Sequence, residues 1–170
     1  NPSINIYNEY GPTEATVGCT VASFKDVHTP VTIGTPISNA SIYILDADLH
    51  LVPTGVFGEI AIGGEGLAQG YVGLETQTAQ RFISNPFKPD QRVYLTGDTG
   101  RWLPNGQLEF LGRKDEQVKI RGYRIELGEI QYVLEQHESV KHAAIVINTI
   151  NDESQIYKIV QENGDEIEWD

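Results

Sequence analysis

Between residues 41 and 111 the apolar residues come in short runs fenced by turn formers, and that punctuation dictates strands. Ser41-Ile42-Tyr43-Ile44-Leu45, Gly58-Glu59-Ile60-Ala61-Ile62-Gly63, Arg92-Val93-Tyr94-Leu95-Thr96 and Gln107-Leu108-Glu109-Phe110-Leu111 alternate or run apolar over a strand's length. Pro104-Asn105-Gly106 lies between Trp102-Leu103 and Gln107-Leu108. Asn-Gly predicts a tight hairpin there, because both residues tolerate positive φ. One helix, Glu75 to Phe82, interrupts the strands. Many short strands with glycine punctuation suggest a small barrel or sandwich.

The flanks differ. Ile4-Asn5-Ile6-Tyr7 reads as a strand that Gly11-Pro12 breaks into a loop. Thr13 and Glu14 then open a helical turn through Ala15 and Thr16. At the other end the polar run Gly112-Arg113-Lys114-Asp115-Glu116 reads as a linker. Gln117 to Arg121 alternates like a strand and ends at Gly122. Leu127, Ile130 and Leu134 share a helical face opposite Glu129, Gln131 and Glu135. His142 to Ile147 reads as a following strand. The predicted class is α+β: a β-rich, barrel-like part, a junction, and a small α/β part with an acidic, poorly patterned tail.

Composition removes several functions. With 12 Lys+Arg against 24 Asp+Glu the formal charge is -12, which repels nucleic acid and anionic lipid. The single cysteine, Cys19, excludes an internal disulfide and a multi-cysteine zinc site, and reads as a small buried hydrophobe. No run approaches 18 apolar residues, so no spanning helix is expected. Asn1 to Asn5 do not resemble a signal peptide, and Met is absent, so the chain reads as an internal piece of something longer. His28, His50, His137 and His142 lack metal-ligand spacing and read as structural or solvated. There is no phosphate-loop G-x-x-x-x-G-K-[ST] and no H-E-x-x-H, and Gly64 to Gly70 has the wrong spacing for a dinucleotide fingerprint.

What remains is polar loops at strand ends. Tyr7-Asn8-Glu9-Tyr10-Gly11-Pro12-Thr13-Glu14 offers a ring, an amide, a hydroxyl and carboxylates within eight residues. That inventory suits a nucleotide: a stacking face, an edge reader, a phosphate contact and a metal ligand. Thr96-Gly97-Asp98-Thr99-Gly100 reads as a Gly-flanked turn whose acid can accept both hydroxyls of a ribose. The structural alternatives, a Tyr packed under a turn and an Asx-turn aspartate, stay open.

Four stretches carry a resemblance. Asn8 to Glu14, Gly58 to Tyr71, Tyr94 to Asp98 and Gly112 to Ile130 resemble, in order, core motifs of the adenylation domains of nonribosomal peptide synthetases. Acyl-CoA synthetases and luciferases share the Tyr-Gly-x-Thr-Glu and Thr-Gly-Asp themes, but the stretch from Gln117 to Ile130 is more similar to the peptide synthetases. The resemblance implies that residues 1–112 are the C-terminal part of the large adenylation subdomain, 113–116 a hinge, and 117–170 part of the C-terminal lid. It implies that ATP and Mg²⁺ are used to turn an amino acid into an aminoacyl adenylate. The acyl group then passes to the phosphopantetheine thiol of a carrier protein.

It also implies roles. Tyr10 resembles the ring that stacks on adenine, with Asn8 at its amino edge. Thr13 resembles the α-phosphate hydroxyl, Glu14 the Mg²⁺ ligand, Asp98 the ribose acid and Arg113 a ribose or phosphate contact. Phe110 stands where some relatives carry a Tyr, so it can stack but cannot donate a hydrogen bond. Asp115 stands at the hinge. Lys119 and Gly122 lie in the loop turned to the site for thioester formation. Glu9, Val17 and Gly18 match positions of the amino-acid pocket. A pocket carboxylate calls for a donating substrate side chain. Glu, Val and Gly resemble asparagine-activating pockets, with tyrosine, glutamine and ornithine as the alternatives and a solvent-facing Glu9 as the structural one.

The family's Ser/Thr/Gly-rich ATP-phosphate loop, its ammonium-binding aspartate and its Asn-Gly-Lys lysine are not found, and Lys158 has no such context. The chain alone is therefore expected to be inactive. The resemblance further implies a multidomain synthetase, a peptidyl carrier domain, a small accessory protein and a cytoplasmic location, with no nucleic acid or membrane partner. The competing readings are a non-catalytic scaffold or docking segment, and part of an acyl-CoA synthetase-like ligase.

Overall fold

The computed structural model describes residues 5–24, 31–114, 117–120, 123–150 and 153–162. Two compact units divide the chain, Asn1–Lys114 and Asp115–Asp170.

In the first unit β1 (Ile6–Tyr10) leads through a one-turn 3-10 helix (Thr13–Ala15) into β2 (Thr20–Phe24) and β3 (Thr35–Pro36). These form a three-stranded antiparallel sheet in the order β1-β2-β3. Then come β4 (Ala40–Leu45), β5 (Gly58–Gly64), α1 (Glu75–Arg81), β6 (Phe82–Ser84), β7 (Arg92–Trp102) and β8 (Leu108–Arg113). They build an antiparallel five-stranded sheet in the order β4-β5-β7-β6, with β8 also paired to β7. This sheet curls as a half-barrel, and the architecture is the expected strand-rich α+β class.

Alternation explains the core. Ile42, Ile44, Ile60, Ile62 and Leu108 gather on one face with Ala15, Cys19 and Ile33 from the segments flanking β2 and β3, and Tyr10 and Trp102 pack against them. The opposite face of the curled sheet buries Leu45, Ala61 and Val93. Both faces are covered, so β5 reads as a nearly continuous apolar run.

Backbone hydrogen bonds stitch the two sheets where Ile33 and Gly34 meet Leu108. Ile33 N donates to Leu108 O at 2.8 Å, and Leu108 N donates to Gly34 O at 2.8 Å. Gly34 holds φ +81, and a Cβ there would overlap the Val21 carbonyl.

The hairpin around Asn105-Gly106 forms as expected, with Trp102 opposite Leu108 and Gly106 at φ +77. Two expectations are corrected. The first strand does not stop at Tyr7; it runs on to Tyr10, because Tyr7 to Tyr10 pair with Thr20 to Ser23. β2 itself has no clear apolar signal. Thr96 to Gly100 is not a turn but the middle of β7. The ladders to β5 and β8 override the turn propensity, and register shifts at Glu59/Ala61 and Thr99/Gly100 absorb the glycines as bulges. The backbone is satisfied there by side chains: Gly97 N donates to Glu59 Oε1 at 3.0 Å and Asp98 N to Thr96 Oγ1 at 2.9 Å.

The second unit contains β9 (Val118–Ile120), β10 (Tyr123–Ile125), α2 (Leu127–Glu135), β11 (Val140–Ile150) and β12 (Glu153–Glu162). β9 pairs with β10 and β11 with β12, both antiparallel. The expected strand-helix-strand is thus enriched by two strands. Leu127 is buried on α2, and Glu135 Oε1 at its end accepts Ala143 N at 3.2 Å. Ile4, His28, Arg121 and the acidic tail 163–170 lie outside the described residues.

The stitch at Gly34 generates a prediction. Gly34→Ala forces a methyl into the Val21 carbonyl and should cost roughly 3 kcal/mol in urea unfolding. Gly106→Ala, which meets nothing within 4 Å, should cost only about 1 kcal/mol. Equal costs would contradict this account of the stitch.

Candidate functional site

Asp98 is buried, and two groups hold its carboxylate. Tyr10 Oη, 88 residues away along the chain, donates to Oδ2 at 2.5 Å. Arg113 Nη1 donates to Oδ1 at 2.7 Å, with side chains only 19% and 9% exposed for Arg113 and Asp98. The local fold accounts for the Arg113 contact. Asp98 and Arg113 are register partners across β7 and β8. Arg113 Nη2 also donates to Thr96 O at 3.2 Å.

Tyr10 ends β1, with its carbonyl accepting Cys19 N at 2.9 Å. Burial, and next the Asp98 carboxylate, push the Tyr10 phenol far above its ordinary range. It therefore keeps its proton and acts as donor. Cys19 is buried, donates weakly to Tyr10 O at 3.4 Å, and burial pushes its thiol up to about 12. The expectation of a small buried residue holds. The Phe110 ring on β8 is half-exposed, with its centroid 5.9 Å from that of Tyr10.

Glu14 lies in the 3-10 turn and is buried although it is an acid. Tyr71 Oη donates to its Oε1 at 2.8 Å and lies 3.3 Å from Tyr94 Oη. Burial, followed by the hydrogen bonds to Tyr94 and Glu14, raises the Tyr71 phenol well above its usual range. Tyr71 is a residue that sequence reasoning missed. Its only signal was its place at the end of the Gly58 to Tyr71 motif. Thr13 is exposed at the start of the same turn.

Along β1 the faces alternate: Asn8 and Tyr10 are half-buried, Tyr7 and Glu9 exposed. Asn8 Nδ2 donates to Thr32 O at 2.7 Å, which fixes the amide. The Glu9 carboxylate lies where a Cβ on residue 18 would be, so Gly18 makes room for it. Val17 is exposed and holds φ 70, directly after Thr16 at φ 58. A β-branched residue in the left-handed region is strained, and such strain clusters at ligand sites.

The structure thus brings Tyr10, Asp98, Phe110 and Arg113 together, and separately Glu9 and Gly18. Lys119 is on β9, opposite Arg124, rather than in a loop, because the short β9–β10 ladder takes in its backbone. Asp115 and Gly122 lie outside the described residues. His50 has a feature the spacing did not suggest: with Asp46 and Asp48 it brings three potential ligand atoms within 4.8 Å. All three are exposed, and Asp46 Oδ1 is occupied by Asp48 N and His50 N at 2.9 Å each, as an Asx-type turn. A cleft of about 440 Å³ beside Lys88 and Arg92 contains none of the expected site residues. No described helix is long and apolar enough to cross a membrane.

Comparison with known proteins adds to this geometry. The profile of the AMP-binding enzymes matches residues 1–72. Bacitracin synthase 1 of Bacillus licheniformis is 51% identical over 150 residues, 86% of this chain and 3% of that protein. Together these matches identify the chain as a fragment of the nonribosomal peptide synthetase adenylation type, with an AMP-binding match over its first 72 residues.

Two solved structures agree with that family. PA1221, an NRPS protein containing adenylation and PCP domains, superposes with a TM-score of 0.82 at 29% identity, covering 96% of this chain and 34% of its own. Holo-AB3403, a four-domain nonribosomal peptide synthetase bound to AMP and glycine, gives 0.62 at 38% identity, covering 95% and 12%. This adenylation-type chain therefore spans a small part of its synthetase relative and about a third of the adenylation–PCP protein.

The Asp98 cluster makes a measurable claim. Arg113→Ala leaves a buried carboxylate short of its cation and should cost about 3 kcal/mol of stability. Asp98→Asn with Arg113→Ala should cost clearly less than the sum of the two single changes in urea unfolding. Strict additivity would mean the ion pair is not energetically coupled.

Proposed function

We propose that the chain supplies the C-terminal side of the nucleotide site, and the start of the lid, of an amino-acid-activating adenylation domain. The observation that carries this is the 2.5 Å contact between Tyr10 and Asp98, which unites the expected adenine ring and the expected ribose acid. An Asp98 pointing away from Tyr10 would have favoured the scaffold reading.

The residues fit an adenosine. The Tyr10 hydroxyl is spent on Asp98, leaving the ring to stack on a base, with Phe110 nearby. A carboxylate has about four acceptor positions, so Asp98 can hold Tyr10, Arg113 and the ribose hydroxyls together. Asn8, anchored through Nδ2, uses Oδ1 to accept from the adenine amino group. Arg113 steadies Asp98 and contacts ribose or phosphate. Thr13 donates its hydroxyl to the α-phosphate.

Glu14 is a hard oxygen donor of the kind Mg²⁺ takes. Mg²⁺, when bound, neutralises phosphate charge. The amino-acid carboxylate attacks the α-phosphorus and pyrophosphate leaves, so the protein's task is positioning and charge stabilisation. A carrier-domain thiol then attacks the acyl carbon and releases AMP.

The remaining assignments belong to the same proposal. Glu9, with room made by Gly18, favours a donating substrate side chain, and asparagine fits Glu9, Val17 and Gly18 best. The unit boundary after Lys114 supports a hinge at 113–116 that includes Asp115. Lys119 and Gly122 serve the thioester step. A carrier domain and the rest of a multidomain synthetase are the expected partners.

Pyrophosphate exchange over all amino acids, in the intact adenylation domain, tests this reading. We expect preference for asparagine, loss of that preference in Glu9→Ala, and a rise of roughly tenfold or more in KM for ATP in Asp98→Ala. The isolated 170 residues should give no exchange. An unchanged profile in Glu9→Ala removes the pocket assignment, and an unchanged KM in Asp98→Ala removes the nucleotide site.

A further inference from the structure

Resting on the reading of Glu14 as the metal ligand, we infer that Tyr71 is the positioning residue that aims the Glu14 carboxylate. Three hydrogen bonds tie the 66–71 segment to the turn carrying Glu14. Thr16 Oγ1 donates to Gly66 O at 2.6 Å, Ala68 N donates to Glu14 O at 2.8 Å, and Tyr71 Oη donates to Glu14 Oε1 at 2.8 Å. The first two fix the backbone; the third fixes the acid itself. A hydrogen bond to one oxygen restrains rotation about the Cγ–Cδ bond and so biases the direction of the other oxygen.

Tyr71 is placed well for that task. Its N–H donates to Thr78 Oγ1 on α1 at 2.9 Å. Its ring meets Phe82 edge-on at 5.6 Å. The segment behind it is clasped by Arg92, whose Nη1 donates to Gln69 O at 2.9 Å and Nη2 to Ala68 O at 3.0 Å. Of the described contacts of the Tyr71 hydroxyl, that with the Tyr94 hydroxyl, at 3.3 Å, is longer than that with Glu14. Outer partners of this kind orient metal ligands, and their loss typically weakens metal affinity about 10–100-fold.

The test is Mn²⁺ binding in the intact adenylation domain with a non-hydrolysable ATP analogue, read by electron paramagnetic resonance. AMP affinity without metal serves as a second readout. Four proteins are compared: wild type, Tyr71→Phe, Glu14→Gln and the double variant. Tyr71→Phe keeps the ring and removes only the hydroxyl. We expect it to weaken Mn²⁺ binding by about tenfold or more while AMP affinity stays unchanged. In the Glu14→Gln background it should cause no further loss.

Additive losses would mean that Tyr71 does not act through Glu14 and would overturn the inference. Equal weakening of AMP and Mn²⁺ would make Tyr71 a merely structural residue and overturn it too. Weakening by Glu14→Gln with none by Tyr71→Phe sinks the role of Tyr71 alone. No effect of Glu14→Gln sinks the metal-ligand reading and the inference with it.

Discussion

A carboxylate taken out of water has to be met by donors, and Asp98 meets its donors from two directions. Tyr10 comes from the edge strand of the three-stranded sheet, and Arg113 from the last strand of the five-stranded one. One acid therefore sets the position of an aromatic ring and of a guanidinium that the chain separates widely. The stitch at Gly34 and Leu108 joins the sheets that carry the ring and the acid. The local polarity and the global fold are one constraint.

The elements divide their labour. The curled sheet is covered on both faces and supplies rigidity. The turn after β1 and the segment after β5 supply Glu14 and Tyr71, while the strands themselves supply Tyr10, Asp98 and Arg113. Strained backbone at Thr16 and Val17 falls in that turn, not in the sheet. Buried Glu14 is supported from the other segment through Tyr71 and Ala68. Precision at the site thus comes from two irregular pieces that brace each other against a regular frame.

Much of that frame was legible in the sequence. β4, β5, α1, α2 and the Asn105-Gly106 hairpin follow from period and turn chemistry alone. Other elements were not legible, for identifiable reasons. Gly97 and Gly100 argue locally for a turn, yet ladders on both sides hold them in a strand. β2 begins at Thr20 behind Gly18-Cys19 and has no apolar run to announce it. The second strand of the β9–β10 ladder is only three residues long.

The inventory of site residues was readable because a ring, an amide and acids crowd residues 7–14. Their pairing was not. Nothing in spacing ties Tyr10 to Asp98, or Tyr71 to Glu14; such partners are set by tertiary register. The resemblance to adenylation domains supplied the first pair, and only coordinates supplied the second.

The central claim is that the ring of Tyr10 and the acid of Asp98 enclose one adenosine. The most direct measurement is a crystal structure of the intact adenylation domain with AMP. The account predicts the adenine against the Tyr10 ring and the ribose hydroxyls on the Asp98 carboxylate, with Arg113 still bonded to it. AMP bound elsewhere, with that ring and carboxylate untouched, would contradict it.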